Sequence, residues 1–217
     1  MTILALEFSS AQRSVAVVRP GNPQISVEAV ERGAGGTNAF GMIEKVLAEA
    51  KIGREQIEVI AVGRGPGSYT GIRVALSVAQ GWQLARGVKL LGVSSTECLA
   101  AQAKAEKIFG RVNVIIDAQR NEFYLASYEI SPGGWKEIEP LQIAALAGIQ
   151  SRANAGEIWV GPEVTRWLPQ GKTLFPAAVT LGWLAAERSD FVGGDKLTPI
   201  YLREANFTKA PRNPLRP

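Results

Sequence analysis

The 217 residues carry 24 lysines and arginines against 20 aspartates and glutamates, a net charge of +4, and 46% are hydrophobic, enough for a sizeable buried core. There is one cysteine, Cys98, and no histidine. These counts exclude an intramolecular disulfide, a Ser-His-Asp or Cys-His nucleophile, a histidine general base and a histidine metal ligand.

The start, Met1 to Glu7, lacks a basic region followed by a long apolar one, and no apolar run reaches the ~18 residues of a membrane span. A cytoplasmic protein is therefore expected, without a membrane partner. Residues 3–6 read as a buried strand, Ser9 to Arg13 as a polar turn and residues 15–18 as a return strand. Pro20-Gly21-Asn22-Pro23 then turns the chain into a third strand at 25–30. After Gly33-Ala34-Gly35-Gly36, Thr37 is expected to cap a helix with Phe40, Ile43, Leu47 and Ala50 on one face, widened by Met42 and Val46. Gly53 is expected to end it.

Ile57, Val59, Ile60, Ala61 and Val62 form a β-branched run closed by Gly63, as a strand buried on both faces reads. Arg64-Gly65-Pro66-Gly67-Ser68-Tyr69-Thr70-Gly71-Ile72-Arg73 follows, and then Ala75, Val78, Ala79, Trp82 and Ala85 recur at helical steps, with Ser68 or Thr70 as cap and Arg86-Gly87 as terminus. The glycines read G-x-G-x-x-x-G, one residue too long for a dinucleotide fingerprint, and no Gly-Lys-Ser/Thr closes the loop. A phosphate cradle and a tight strand-to-helix connection both remain open on spacing alone.

A strand at 88–93 and a capping box Ser94-x-x-Glu97 opening a helix to about Lys107 complete the first half. The pattern then restarts, with strands at 112–116, 123–129 and 135–138, a helix at 141–147, a strand at 158–160 and a helix at 181–188. Two successive βββ-α-β-α halves predict a duplicated α/β fold, divided into domains 1–106 and 107–217, with a cleft between like halves where a ligand could sit.

The segment Gly63 to Arg73 closely resembles the Gly-Arg-Gly-Pro-Gly-Ser-Phe-Thr-Gly-hydrophobic-Arg motif of the bacterial TsaB family. Ile3-Leu4-Ala5-Leu6, Gly92-Val93-Ser94-Ser95, Ile116-Asp117-Ala118-Gln119-Arg120 and Pro199-Ile200-Tyr201-Leu202-Arg203 agree with it in order, so the resemblance spans nearly the whole chain. It implies the actin-like ATPase fold that the duplicated pattern also suggests. It further implies a non-catalytic dimerisation subunit of the machinery that makes threonylcarbamoyladenosine next to the anticodon of tRNA. The partners so implied are a TsaD-type catalytic subunit, a TsaE-type ATPase through the complex, a second copy of the chain when alone, and tRNA only through the complex. No cofactor and no metal are implied for this chain.

Actin-like proteins hold nucleotide phosphates with an aspartate at the end of each half's first strand. Here Glu7 and Asp117 stand at those places, with bulky Phe8 and Ala118-Gln119-Arg120 beside them, and Gly161-Pro162 replaces the adenosine-side Gly-Gly. Glu7 and Asp117 could pair across the cleft around Mg²⁺ or in acid-base work, or could end their strands on turn amides. The TsaD family carries paired metal-binding histidines on its first long helix, where this chain has Thr37-Asn38-Ala39-Phe40. A peptidase role loses its chemical basis in the same absence of histidine.

The resemblance assigns the partner face to the first two helices, with Phe40, Ile43, Leu47, Ala75, Val78, Ala79 and Leu84 as candidates. Arg64, Gly65, Gly67, Ser68, Tyr69, Thr70, Gly71 and Arg73 form the motif loop. Arg64, Arg73, Arg203 and Lys209 match family positions, with surface ion pairing as their alternative role. Two further readings are an ATP-dependent phosphotransferase or hydrolase using Glu7, Asp117 and residues 65–71, and a small-ligand or RNA-binding module in which Tyr69, Arg64 and Arg73 meet the partner.

Overall fold

Strand β1 (Ile3–Glu7) is buried on both faces, and the first half of the chain is laid down around it. In the computed structural model, which describes residues 1–21, 24–33 and 38–202, it pairs antiparallel with β2 (Gln12–Arg19), and β2 pairs antiparallel with β3 (Ile25–Arg32). On its other edge β1 runs parallel to β4 (Val59–Gly63), and β4 to β5 (Lys89–Val93). The intervening helices are α1 (Ala39–Ala50) and α2 (Tyr69–Arg86). These pairings give the sheet order β3-β2-β1-β4-β5. Leu4 and Leu6 face α1 and α2, whereas Ile3 and Ala5 face the opposite side.

The second half repeats this plan. Strands β6 (Gly110–Asp117), β7 (Glu122–Ser131) and β8 (Gly134–Ala145) form an antiparallel meander. After α4 (Leu146–Asn154), β9 (Ile158–Gly161) joins β6 in parallel, and the two-residue β10 (Lys172–Thr173) joins β9. The order β8-β7-β6-β9-β10 mirrors the first sheet, which is the duplicated α/β architecture expected from the sequence.

Between the sheets lie α3 (Ser95–Ala105) and α5 (Ala178–Ala186). Leu99, Ala100 and Ala103 of α3 cover the second sheet, whereas Leu181 and Ala185 of α5 return to the first. Gly182 lets α5 sit close, because a Cβ there would meet Val18 Cγ2 at 2.7 Å. The layers therefore run α1 and α2, first sheet, α5 and α3, second sheet, α4. No helix among the described residues is long and apolar enough to cross a membrane.

Several local expectations are corrected. Asn38 rather than Thr37 caps α1, its Oδ1 accepting from the Gly41 amide at 3.2 Å, and Thr37 lies outside the described residues. That helix stops at Ala50 because Lys51 turns left-handed (φ 55°), two residues before Gly53, which instead opens a 3-10 turn at Arg54–Gln56. The predicted helix at 141–147 is strand as far as Ala145, held to β7 through the register Glu122↔Ala145 and Leu125↔Gln142. Its alternating, half-exposed face at a sheet edge gave a weak period-two signal. The capping box does not close as expected, since Ser94 Oγ accepts from the Thr96 amide and Glu97 pairs with Arg188 at 3.3 Å. The final helix runs from Ala178 to Ala186 rather than over 181–188, and β10 was not anticipated.

Candidate functional site

The glycine loop is shaped by how closely it approaches the end of β1. A Cβ on Gly71 would stand 2.0 Å from the Phe8 carbonyl oxygen, and one on Gly67 (φ 145°) 2.1 Å from the Ser9 carbonyl oxygen. The Ser68 amide donates to that Ser9 oxygen at 2.7 Å, and Ser68 caps α2 by accepting from the Gly71 amide at 3.3 Å. The glycines thus let the first turn of α2 lie against the backbone of the β1–β2 turn. The geometry is that of a tight strand-to-helix connection, with the backbone of residues 8 and 9 where a cradled group would need space.

Glu7 is fully buried. Its Oε1 accepts from the Ser9 amide at 2.8 Å and its Oε2 from Ser95 Oγ at 3.2 Å, while a Cβ on Gly63 would meet Oε2 at 1.9 Å. Burial raises its pKa above the ordinary carboxylate range, against the hydrogen bonds from Ser9 and Ser95. Asp117 is half-buried and binds its own turn, accepting from the Gln119 amide at 2.7 Å and Gln119 Nε2 at 3.2 Å. That turn is built from Gln119, Arg120 and Asn121, all with side chains and all at φ 60–65°.

A cleft of about 470 Å³ opens between the two halves, lined by Ser10, Arg13, Tyr69, Asp117 and Glu163 among others, but not by Glu7. These residues do not fit a phosphate-bound cation. Of the two strand-end carboxylates, Glu7 is sealed in the core and Asp117 accepts from its own turn amide, so the two do not meet across the cleft.

The buried carboxyl has a measurable consequence. Because its folded pKa is raised, Glu7 contributes stability fully present below the unfolded carboxylate range and lost as pH rises through the folded value. Glu7→Gln keeps an oxygen for the Ser9 amide and can donate to Ser95. Urea midpoints measured from pH 4 to 8 should fall for the parent relative to the variant, and the variant should be the more stable at pH 8. A constant difference would show that Glu7 titrates as an ordinary carboxylate.

The outer face of α1 and α2 is different in character. Phe40 is 68% and Leu84 89% exposed, with half-buried Val78 and Trp82 between them. Phe40, Val78 and Trp82 line a groove of about 530 Å³ together with Gly81 and the Arg54–Glu44 ion pair at 2.6 Å, and Leu84 stands outside that lining. Ile43, Leu47, Ala75 and Ala79 are corrected here: all four are buried in the core against the first sheet, so their side chains cannot reach a partner. The contact of the motif loop with residues 198–201 escaped sequence reasoning. Arg64 Nε donates to the Thr198 carbonyl at 2.7 Å, the Ile200 amide to the Arg64 carbonyl at 2.9 Å, and Arg73 Nε to the Tyr201 hydroxyl at 3.0 Å. The available signal was that both segments belong to one family pattern. Arg203 and Lys209 lie outside the described residues.

The family model described as TsaD, tRNA N6-adenosine threonylcarbamoyltransferase, matches residues 37–193. A relative from Escherichia coli K12, named tRNA threonylcarbamoyladenosine biosynthesis protein TsaB, is 29% identical over 94% of this chain and 95% of its own. The TsaB protein of Bacillus subtilis 168 is 27% identical over 68% of this chain and 63% of its own. The chain belongs to the TsaB family of tRNA threonylcarbamoyladenosine biosynthesis proteins. A solved structure, YeaZ from Pseudomonas aeruginosa, superposes with a TM-score of 0.77 at 28% identity, covering 93% of this chain and 99% of that one. A second Pseudomonas aeruginosa structure, described as similar to peptidase YEAZ, matches equally. For a TsaB protein, the packing role of the loop and the sealed Glu7 turn attention from the cleft to the helical face.

Proposed function

We propose that this chain is the non-catalytic cytoplasmic partner of a TsaD-type subunit, binding it through the α1–α2 face so that the pair threonylcarbamoylates tRNA adenosine. The carrying observation is the exposed apolar groove between α1 and α2 lined by Phe40, Val78 and Trp82, with Leu84 exposed on α2 outside it. Aromatic and apolar side chains around a concavity, with a charged pair at the rim, suit a protein interface. Gly81 supplies a low point for a close helix approach, since nothing lies within 4 Å of where its Cβ would be. The same face would serve a second copy of the chain when the partner is absent. A TsaE-type ATPase would join through the complex, and the scaffold would comprise the domains 1–106 and 107–217.

The catalytic side of the proposal rests on chemistry. The chain has no histidine, Glu7 and Asp117 are engaged within the fold, and burial holds the Cys98 thiol well above its usual range. The same lack of histidine removes a Ser-His-Asp basis for peptidase activity. Transfer to unmodified tRNA, followed by nucleoside analysis, should be absent for either subunit alone and present for the mixture supplied with an activated threonylcarbamoyl donor. Transfer by this chain alone would overturn the reading in favour of an enzyme acting by itself.

A further inference from the structure

The motif loop and the segment that ends the described chain meet in an exposed cluster beside the Phe40 end of the partner face. The guanidinium carbon of Arg73 lies 3.8 Å from the centroid of the Tyr69 ring and 5.9 Å from that of Tyr201. The two rings stand 6.0 Å apart at 31°, and the Tyr201 hydroxyl accepts from Arg73 Nε at 3.0 Å. Tyr69 is 56% and Tyr201 47% exposed. Among the described residues no carboxylate lies within ion-pair distance of Arg73, and Arg64 spends its Nε on the Thr198 carbonyl.

We propose that Tyr69, Arg73 and Tyr201 form a stacking platform for an unpaired base of tRNA, so that this chain touches the RNA directly once the complex has assembled. An aromatic–guanidinium stack with open ring faces and an uncompensated cation is what binds a splayed base beside its phosphate. The sequence that follows supports the same partner, since residues 203–217 carry Arg203, Lys209, Arg212 and Arg216 against the single carboxylate Glu204. The character of α2 changes along its length. Leu84 is eleven residues from Arg73, about 16 Å along the axis. The cationic platform is thus set apart from Leu84, whereas Tyr69 and Arg73 share a second pocket with Phe40 and adjoin that end of the partner face.

The inference rests on the partner reading, and the test separates the two. The wild-type pair and pairs containing Tyr201→Leu, Tyr201→Phe or Arg73→Gln are assembled with the TsaD-type subunit. Light scattering gives the mass of each, and fluorescence anisotropy gives the affinity for an unmodified tRNA transcript at several salt concentrations. Expected are unchanged masses, about tenfold weaker RNA binding for Tyr201→Leu, near-parental binding for Tyr201→Phe, and a salt slope reduced by about one for Arg73→Gln. Unchanged RNA affinity in intact complexes overturns the inference. Loss of assembly in these variants also overturns it, by assigning the cluster to the protein interface. Failure of the wild-type pair to assemble overturns the partner reading itself.

Discussion

Leu84→Asp and Phe40→Asp are expected to leave the isolated protein as stable as its parent and to weaken association with the TsaD-type subunit at least thirtyfold. Leu84 is 89% and Phe40 68% exposed, so neither substitution places a charge in the core. Surface changes of this kind alter folding by no more than about 0.5 kcal/mol. In an assembled interface both side chains would be desolvated, and a carboxylate in their place would be buried without a partner. Losing an apolar anchor costs about 2 kcal/mol or more, which is roughly thirtyfold in affinity. The controls follow from burial. Leu47→Glu and Ala79→Glu would put a charge into the core at 4% and 0% exposure and report on folding instead. Parental affinity for both exposed-site variants, by titration calorimetry, would remove the α1–α2 face from the account.

Gly71→Ala should destabilise the protein by about 3 kcal/mol or more, against the usual preference of helices for alanine. The new methyl would stand 2.0 Å from the Phe8 carbonyl oxygen, a backbone atom that cannot swing aside. Relief requires α2 to withdraw from the β1–β2 turn, breaking the hydrogen bond from the Ser68 amide to the Ser9 oxygen. A chain of this size should lose roughly 6–12 °C in melting temperature. Gly148→Ala in α4 meets nothing within 4 Å and should stabilise by about 0.5–1 kcal/mol, giving the opposite sign in the same assay. If Gly71→Ala melts with the parent, the glycines of the motif are free of the packing described here and a ligand role for the loop returns.

Where one physical signal dominated, the sequence was read well. The β-branched run ending at Gly63, the serine cap at Ser68 and the left-handed Gly87 mark β4 and α2 almost to the residue. The duplication was legible because both halves repeat one order of strands, although a 3-10 turn at Val164–Arg166 stands where the first half has α2. Errors fell where signals compete. Residues 134–145 form an edge strand with Pro140 inside it, and its partly solvated faces blurred the alternation that separates strand from helix. The partner-face candidates divided for a related reason. Periodicity places Ile43, Leu47, Ala75 and Ala79 on helices, but cannot say which stripe the first sheet covers. The cluster of Tyr69, Arg73 and Tyr201 joins residues 128 apart in sequence, and only the fold brings them together.

Glu7 is the most instructive residue. Its position at the end of β1 fits a phosphate or metal role as well as a structural one, and type and spacing do not separate them. Burial does, since it lies at 0% exposure with both oxygens bonded inside the fold. A group sealed in this way shapes the connection between β1 and α3 and has no surface to offer a ligand.

Light scattering of the purified chain mixed with the TsaD-type subunit from the same organism tests the central claim most directly. The account predicts a one-to-one complex at micromolar concentration that separates into its components when Leu84→Asp is introduced. Two independent species in the wild-type mixture, with the mass of each subunit unchanged, would contradict it.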